Sequence, residues 1–341
     1  MDVYREILYR RIKIIIIFLI LCLILALLNM ITGPMKISLN EILINIVYTH
    51  NKTVHVVVWD CRLPWTLMAV MIGGALGLAG LEMQTILNNP LASPYTLGVS
   101  AGAGFGAAVA YVLGLRVLPA VPVEFIVPAN AFFFAFLTCM LIMFIGRIRD
   151  FTSETLVLGG IAIAFLFHSM LALLEFFASE ETLQAIVFWL FGSLTKATLL
   201  KSQVVFTVLT VVSILLLFRS WKITALRLGD EKAESLGINV KNLRIEILFY
   251  VSLLTSVAVC FTGIIAFVGL VAPHIARILI GEDHRFLIFG SILCGATVLS
   301  AGAIVSKVII PGAIFPIGII TSMIGVPFFL FLVIRGRKQI W

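Results

Sequence analysis

Long apolar runs separated by short polar connections set the pattern of this 341-residue chain. A helix needs about 20 mostly apolar residues to cross the hydrocarbon core of a bilayer. The runs predict about ten transmembrane helices, near residues 13–32, 65–86, 96–115, 124–146, 155–177, 198–218, 245–266, 270–280, 286–306 and 315–334. Segments of about ten alternating residues, which are typical of membrane β-barrels, are not seen. The expected fold class is an all-α polytopic membrane protein.

The composition agrees with this pattern, because 61% of the residues are hydrophobic and only 12% are charged. Soluble domains carry about 25% charged residues. No polar segment is long enough to form a separate soluble catalytic domain, so residues 1–341 are predicted to form a single transmembrane domain. The chain contains no GxxxxGK[ST] phosphate-binding loop. If ATP drives this protein, another chain must bind it.

The net charge of +7 could indicate nucleic-acid binding, but the placement of the charges argues against it. With the N-terminus inside and the spans alternating, 17 of the 24 Lys and Arg residues fall inside and 7 outside. Lys and Arg collect on the cytoplasmic side of membrane proteins. The bias therefore predicts cytoplasmic N- and C-termini and no nucleic-acid partner.

The stretch NNPLASPYTLGVSAGAG, residues 88–104, breaks the pattern between the second and third spans. Its prolines stop helices, and its asparagines can cap free carbonyl groups. Glycines on both sides allow helices to approach closely, and Gly98 and Gly102 are spaced for one helix face. An ordered, buried elbow is predicted at the cytoplasmic side. Its candidate residues are Asn89, Pro90, Leu91, Pro94, Gly98 and Gly102.

A polar cytoplasmic segment, residues 219–244, contains the sequence DEKAESLGI. This sequence predicts a short helix that starts at Asp230, with acids in its first turn, and ends at Gly237. Ala233 and Leu236 are three residues apart and share a face. An exposed apolar face on so short a helix is expected to bind a partner. The alternative is a loop helix that rests on the lipid headgroups.

Ionisable residues within the spans do not form a transport or catalytic set. Glu82, Glu175 and Glu246 lie near span ends, and no series of acids crosses the middle. This weakens an ion-coupled secondary transporter. A membrane-embedded enzyme is weakened as well, because paired aspartates, HExxH and Ser/His arrangements are missing. His274 has no second histidine at ligand spacing, so no metal site is predicted.

Several motifs together resemble one known family. They occur in the order RLPW (62–65), GGALGLAGLEMQTILNNPLASPYTLGVSAGAG (73–104), LVLGGIAI (156–163), FWLFGSL (188–194), LGDEKAESLGI (228–238), GIIAFVGLVAPHIARILIGEDHR (263–285) and FPIGIITSMIGVPFFLFLV (315–333). The chain resembles the permeases of ABC importers for iron–siderophore complexes, haem and cobalamin, and the resemblance runs along nearly its whole length.

The resemblance implies a fold like that of the cobalamin importer permease, in the inner membrane of a bacterium or archaeon. It implies two ATP-binding cassette subunits, a periplasmic or lipoprotein substrate-binding protein, and a second permease copy or a similar permease. The chain would then be no enzyme and hold no cofactor, because ATP is bound by the partner. The short helix would be the coupling helix that enters a groove of the ATPase, through Asp230, Ala233, Glu234, Leu236 and Gly237.

The family also docks its binding protein through outward-facing arginines, and the corresponding positions here are Arg62, Trp65 and Lys307. The alternative is that Arg62 and Lys307 are membrane-interface anchors. A ferric chelate is the expected cargo, with haem, cobalamin and molybdate-like oxyanions as alternatives. Phe167 and Met170 are three residues apart, so they share a helix face and are suggested as pathway-facing. The alternative, which is favoured, is that both are ordinary packing or lipid-facing residues.

Overall fold

The computed structural model describes residues 2–48, 51–149 and 151–335. These residues form α1 (Asp2–Ile31), α2 (Leu39–Val47), α3 (Lys52–Val56), α4 (Leu63–Ile86), α5 (Val99–Leu113), α6 (Ile126–Ile148), α7 (Ser153–Phe177), α8 (Glu180–Leu190), α9 (Leu199–Leu226), α10 (Asp230–Ser235), α11 (Val240–Thr262), α12 (Val268–Ile280), α13 (His284–Val308) and α14 (Ile317–Arg335). A π-helical turn, Val57–Arg62, joins α3 to α4, and a 3₁₀ turn, Val123–Phe125, precedes α6.

Among the described residues, seven helical segments are long and apolar enough to cross a membrane. Three shorter apolar helices, α5, α12 and α14, supplement them. These ten elements coincide with the ten predicted spans, which confirms the all-helical polytopic fold, whereas the number that cross the bilayer stays a prediction. We call the end that carries α2 and α3 the outer end, and the end that carries α10 the inner end.

Helix α4 lies at the centre and is almost completely buried. Its glycines allow backbones to touch: a Cβ atom at Gly73 would collide with the carbonyl group of Gly295 on α13, and one at Gly80 with that of Gly269 on α12. Gly77 approaches Ser291 in the same way. Without a hydrophobic drive between helices in lipid, such close packing holds membrane bundles together.

The structure adds helices that the hydrophobic pattern did not predict. Helix α8 has 11 residues and lies between the fifth and sixth predicted spans. The outer segment 33–63 contains α2 and α3. Their N-caps can be read from the sequence, since Ser179 accepts a hydrogen bond from the Thr182 N–H and Ser38 forms a capping box with Glu41. A search for spans alone missed these caps.

A helix break follows α11, between the predicted spans 245–266 and 270–280. Gly263 adopts a φ of +71°, and Phe267 adopts a φ of +66°, which is uncommon for a residue other than glycine. Helix α12 then runs for only 13 residues and contains Pro273. The loop is enclosed by protein, which is where irregular backbone is tolerated at membrane depth.

Candidate functional site

The elbow at the inner end begins with a well-defined helix stop. Asn88 takes a φ of +45°, its N–H donates to the Thr85 carbonyl, and the N–H of Asn89 reaches back to the Gln84 carbonyl at 3.1 Å. These are the hydrogen bonds of a Schellman motif. The Asn89 side chain then accepts a hydrogen bond from the Leu91 N–H at 2.9 Å. Asparagines therefore end α4 and shape the turn, as predicted.

Burial of the elbow is only partial, which corrects the expectation that the whole segment is enclosed. Pro94 is buried, Asn89 and Pro90 are half-buried, and the side chain of Leu91 is exposed. A second turn is fixed where Ser93 and Thr96 bond each other through backbone and side-chain atoms. The buried part anchors the elbow and leaves a small surface free at the inner end.

The two elbow glycines do not share one helix face, contrary to the prediction from their spacing. Gly98 precedes α5 in the left-handed conformation, with a φ of +78°, and approaches Ala164 on α7. Gly102 lies within α5, where a Cβ atom would collide with Thr138 on α6. Helical spacing failed here because the helix starts after Gly98, so the two glycines contact different helices.

Ala233 in α10 faces inward, which corrects its predicted exposure. Its side chain is fully buried, whereas Glu234, Leu236 and Gly237 are exposed. The helix has only six residues, and the N–H of Ile238 donates to the Ala233 carbonyl just after it ends. The Ala233 side chain belongs to the buried core of the helical bundle. A charge at Ala233 would therefore disturb folding. The available contact surface consists of the other predicted residues.

A salt bridge that the sequence analysis missed fixes the position of α10. The Arg244 guanidinium donates to both Asp230 oxygens, at 2.8 and 2.9 Å. The Nε of Arg244 also donates to the carbonyl of Ile86, the last residue of α4, at 3.2 Å. Arg244 thus joins the short inner helix to the helix end that leads into the elbow. Fourteen residues separate Asp230 from Arg244, so no local helical spacing pairs them.

The structure brings Arg62, Trp65 and Lys307 together at the outer end, but it buries both cations. Arg62 donates to the carbonyls of Met30 and Ile31 at 2.8 and 2.9 Å, and to that of Met35. It is 2% exposed, and so closes the C-terminal end of α1, where the helix dipole favours a cation.

Lys307 makes an equivalent connection from α13 to α1. Its ammonium donates to the backbone and side-chain oxygens of Asn29, at 2.9 and 3.1 Å. It also lies 6.0 Å from the centre of the Trp65 ring. The Trp65 indole N–H donates to the Thr195 carbonyl at 3.1 Å. These contacts give all three residues positions within the protein itself.

Known proteins share both the sequence and the fold of this chain. The FecCD transport family profile matches residues 19–335. The chain belongs to the FecCD transport family. It is 35% identical to a "Probable iron chelatin transport system permease protein" of Helicobacter pylori, over 93% of this chain and 96% of that protein. It is 34% identical to the hemin transport system permease HmuU of Yersinia pestis, over 83% of this chain and 84% of that protein.

The chain is also 32% identical to a vitamin B12 import permease of Vibrio vulnificus, over 83% of this chain and 84% of that protein. A solved metal-chelate type ABC transporter, described in an inward-facing conformation, superimposes with a TM-score of 0.83 at 30% identity. The match covers 95% of this chain and 99% of that one. These similarities confirm the predicted fold and the function as an ABC importer permease, with relatives for iron chelate, haem and cobalamin.

Docking through Arg62, Trp65 and Lys307 stays a prediction for this FecCD chain. Since the hydrogen bonds of the two cations are made to α1, a charge reversal at either position would disturb folding before it could report on docking. Binding-protein contacts are better sought on the exposed surface of the outer end.

Phe167 and Met170, the two residues suggested as pathway-facing, lie in different environments. Phe167 is buried among Phe105 and Phe134, with ring centres 5.6 and 6.2 Å away, so it belongs to the core of the subunit. Met170 is exposed on α7 beside Leu166. Phe167 is therefore unsuited to a pathway-facing role, while the role of Met170 stays a prediction.

A buried Glu82–His284 pair was also missed. The Nε2 of His284 lies 2.7 Å from a Glu82 carboxylate oxygen, and both side chains are fully buried between α4 and α13. Around residues 280–285, Arg11 contacts Asp283 at 2.9 Å and Arg277 contacts Glu282 at 2.7 Å. The hydrogen bond from Arg285 holds the pKa of the Asp283 carboxyl below its usual range. A sequence search that treats each charge singly cannot find such pairs.

Within 2–48, 51–149 and 151–335, no group of three His, Cys, Asp or Glu side chains is placed to hold a metal ion.

Proposed function

We propose that this FecCD permease carries a ferric chelate across the cell membrane and is driven by separate ATPase subunits. The observation that carries the proposal is the nearly full-length similarity to an iron chelatin permease. In this proposal two ATP-binding cassette subunits bind at the inner end, and a binding protein delivers the chelate at the outer end. The chain itself has no catalytic activity and holds no cofactor.

The exposed side of α10 supports the assignment of the ATPase contact. Arg244 holds the helix from one side, while Glu231, Lys232, Glu234 and Leu236 remain exposed. Leu236 is half-exposed although it is apolar. In a complete importer, this side chain would be buried in the groove of the ATPase, which would transmit ATP-driven motion through α10.

A second permease copy completes the proposed assembly. Helix α7 exposes large apolar side chains on the surface of the subunit, including Leu158, Phe165 and Phe176. Lipid can cover such a surface, but the family resemblance supports a dimer with the pathway between the two copies. In this proposal both termini face the cytoplasm. The mass of the purified permease, corrected for detergent, distinguishes one copy from two.

The ATPase contact is tested with Leu236→Asp. The substitution lies on the exposed surface, so the permease should fold normally but lose co-purification with its ATPase, because an unpaired charge is costly to bury. The control is Leu118→Asp, which places the same change on an exposed leucine at the outer end. Normal ATPase binding by Leu236→Asp would contradict the contact.

The cargo is tested by uptake into proteoliposomes that contain the permease, its ATPase and its binding protein. The expected result is ATP-dependent uptake of a labelled ferric chelate, and no uptake with an ATPase whose phosphate-binding lysine is replaced. Uptake of haem or cobalamin in place of the ferric chelate would contradict the proposed cargo, but it would agree with the assignment as an ABC importer. ATP-independent uptake, driven by an ion gradient, would overturn the class.

A further inference from the structure

A cavity of about 390 Å³ lies at the outer end, apart from the proposed ATPase contact at α10. It is lined by the end of α5, the start of α6, the last turn of α8, the start of α9 and the end of α11. Small-molecule sites have volumes of about 300–1,000 Å³. Lys196 and Glu124 are exposed at the cavity, so solutes can reach it.

The walls of the cavity are largely apolar and aromatic. The apolar lining includes Phe188 and Trp189 on α8, Phe261 on α11, and Val127 and Pro128 on α6. Phe188 is more than half exposed, so its ring is accessible to a ligand at the cavity. A few polar groups set in an apolar wall are typical of sites that orient a small ligand.

Two lysines supply the charge of this cavity. The Lys201 ammonium donates to the Lys196 carbonyl at 2.8 Å and lies 5.7 Å from the centre of the Phe125 ring. The Lys196 ammonium is 3.4 Å from the Tyr111 hydroxyl. Among the described residues, no carboxylate oxygen lies within 4.0 Å of either ammonium. Glu124 lines the cavity as well, so two cations face one anion and leave an excess positive charge.

The inner side of the cavity is closed by a junction of backbone segments. The N–H of Ser193 donates to the Thr262 carbonyl at 2.7 Å, and the N–H of Ile317 to the Gly192 carbonyl at 3.2 Å. Gly192 has a φ of +71°, and a Cβ atom there would collide with the Ile264 carbonyl. The segments between α8 and α9, between α11 and α12, and before α14 therefore touch directly.

We propose that this cavity receives an anionic oxygen group of the cargo, held by Lys196 and Lys201, with the body of the ligand against Phe188 and Phe261. This inference rests on the proposed function and narrows the cargo to an anionic chelate. The chemistry recognised is a cluster of negatively charged oxygens, such as catecholate or carboxylate groups. A phospholipid phosphate has the same chemistry, and the experiment separates the two sources.

The test measures binding by equilibrium dialysis between the detergent-solubilised permease and two labelled chelates. One is a negatively charged ferric tris-catecholate, and the other is a neutral ferric tris-hydroxamate. Wild type, Lys196→Gln, Lys201→Gln and the double variant are compared, with Lys52→Gln as the matched exposed lysine elsewhere at the outer end. Size-exclusion profiles and unfolding temperatures establish that each variant is folded.

Wild type is expected to bind the anionic chelate more tightly than the neutral one, and more weakly as salt increases. The double variant should lose about tenfold of its affinity for the anionic chelate, as expected for charge-assisted hydrogen bonds, and leave the neutral chelate unchanged. Equal binding of the two chelates by wild type would overturn the proposal. So would a preference that survives in the double variant.

The lipid source is tested by repeating the measurement in nanodiscs of phosphatidylcholine alone and with added phosphatidylglycerol. If the lysines hold cargo, the preference for the anionic chelate persists in both. If the Lys196→Gln and Lys201→Gln substitutions reduce only the amount of phosphatidylglycerol that the protein retains, and leave chelate binding unchanged, the proposal is wrong. These measurements use no ATP, so a failure of ATP-driven uptake overturns the proposed function without deciding the binding result.

Discussion

Two groups of cations, one at each end of the protein, are held in different ways. At the outer end, Arg62 and Lys307 are buried and bind carbonyl oxygens at the end of α1. At the inner end, Arg244, Arg11 and Arg285 pair with carboxylates that keep contact with solvent. Both arrangements satisfy the cations, but only the inner one is open to competition from water and salt.

The difference follows from the physical cost of moving each contact. A buried cation that loses its oxygens leaves an uncompensated charge in a medium of low dielectric constant. An exposed ion pair contributes about 0–1 kcal/mol and is screened by salt. We therefore expect the contacts of Arg62 and Lys307 that join α1, α4 and α13 at the outer end to stay fixed. The ion pairs around α10 at the inner end can rearrange at small cost in free energy during transport.

The strongest challenge to this comparison is Arg62→Met. The substitution leaves the carbonyls of Met30, Ile31 and Met35 without their donor. Each buried acceptor that is left unpaired costs about 1–3 kcal/mol, so we expect a loss of about 3–5 kcal/mol in the free energy of unfolding. The readout is the unfolding temperature in detergent together with the yield of monodisperse protein. Arg116→Met, at an exposed arginine of the same end, is the control. A stable Arg62→Met protein would contradict the structural role of Arg62.

Gly102→Leu tests whether the inner end contains an equally fixed part. The new side chain would collide with Thr138 and the Phe134 backbone on α6, so we expect destabilisation by about 3 kcal/mol. Gly302→Ala is the control, because a Cβ atom there meets no neighbour closer than 3.7 Å. Similar unfolding temperatures for both variants would remove close packing as the reason for the glycine.

Lys307→Met should have an intermediate effect. It removes two hydrogen bonds to Asn29, although the Asn29 amide keeps its own bond to the Ser300 carbonyl at 2.9 Å. The expected loss of unfolding free energy is about 2 kcal/mol, and it should depend little on salt. Lys36→Met changes an exposed lysine and serves as the control. A loss of binding-protein affinity without any loss of stability would favour docking.

Arg244→Met should change function more than stability. Because Asp230 is half-exposed, the ion pair is expected to contribute less than about 1 kcal/mol. Loss of the connection between α10 and the end of α4 should still reduce transport for each ATP hydrolysed in the complete importer. Arg219→Met breaks a comparable partly exposed pair, with Glu246, that does not touch α10. If both variants transport the same amount of cargo for each ATP hydrolysed, the role of Arg244 is contradicted.

The smallest effect is expected for Asp283→Asn. The pKa of this carboxyl is lowered by hydrogen bonds from Arg285, so its stabilisation is present at pH 5–8 and disappears as the pH falls below about 4. Wild type should exceed Asp283→Asn by about 0.5 kcal/mol at neutral pH, with the difference vanishing in acid and at high salt. Asp60→Asn, at an exposed aspartate, provides the reference. A difference that grows in acid would refute this sign.

The sequence alone determined the features that depend on neighbouring residues. Apolar runs longer than a bilayer requires predicted the helices, and the prolines and asparagines of residues 88–94 predicted where α4 ends. Each of these depends on backbone conformation or on the hydrophobic length of one segment. The family resemblance likewise came from contiguous motifs, and the comparison with known proteins confirmed it.

The tertiary structure decided which side chain meets which partner. Arg62 was expected to face outward and Ala233 to face the ATPase, but packing turned both inward, since contacts with α1 and with the inner helices outweighed local spacing. The partners of Lys307 and Glu82 lie more than 200 residues away in the chain. Such pairs depend on how whole helices pack, and the same packing creates the outer cavity between five helices. Period and composition describe one helix at a time, so they cannot specify either feature.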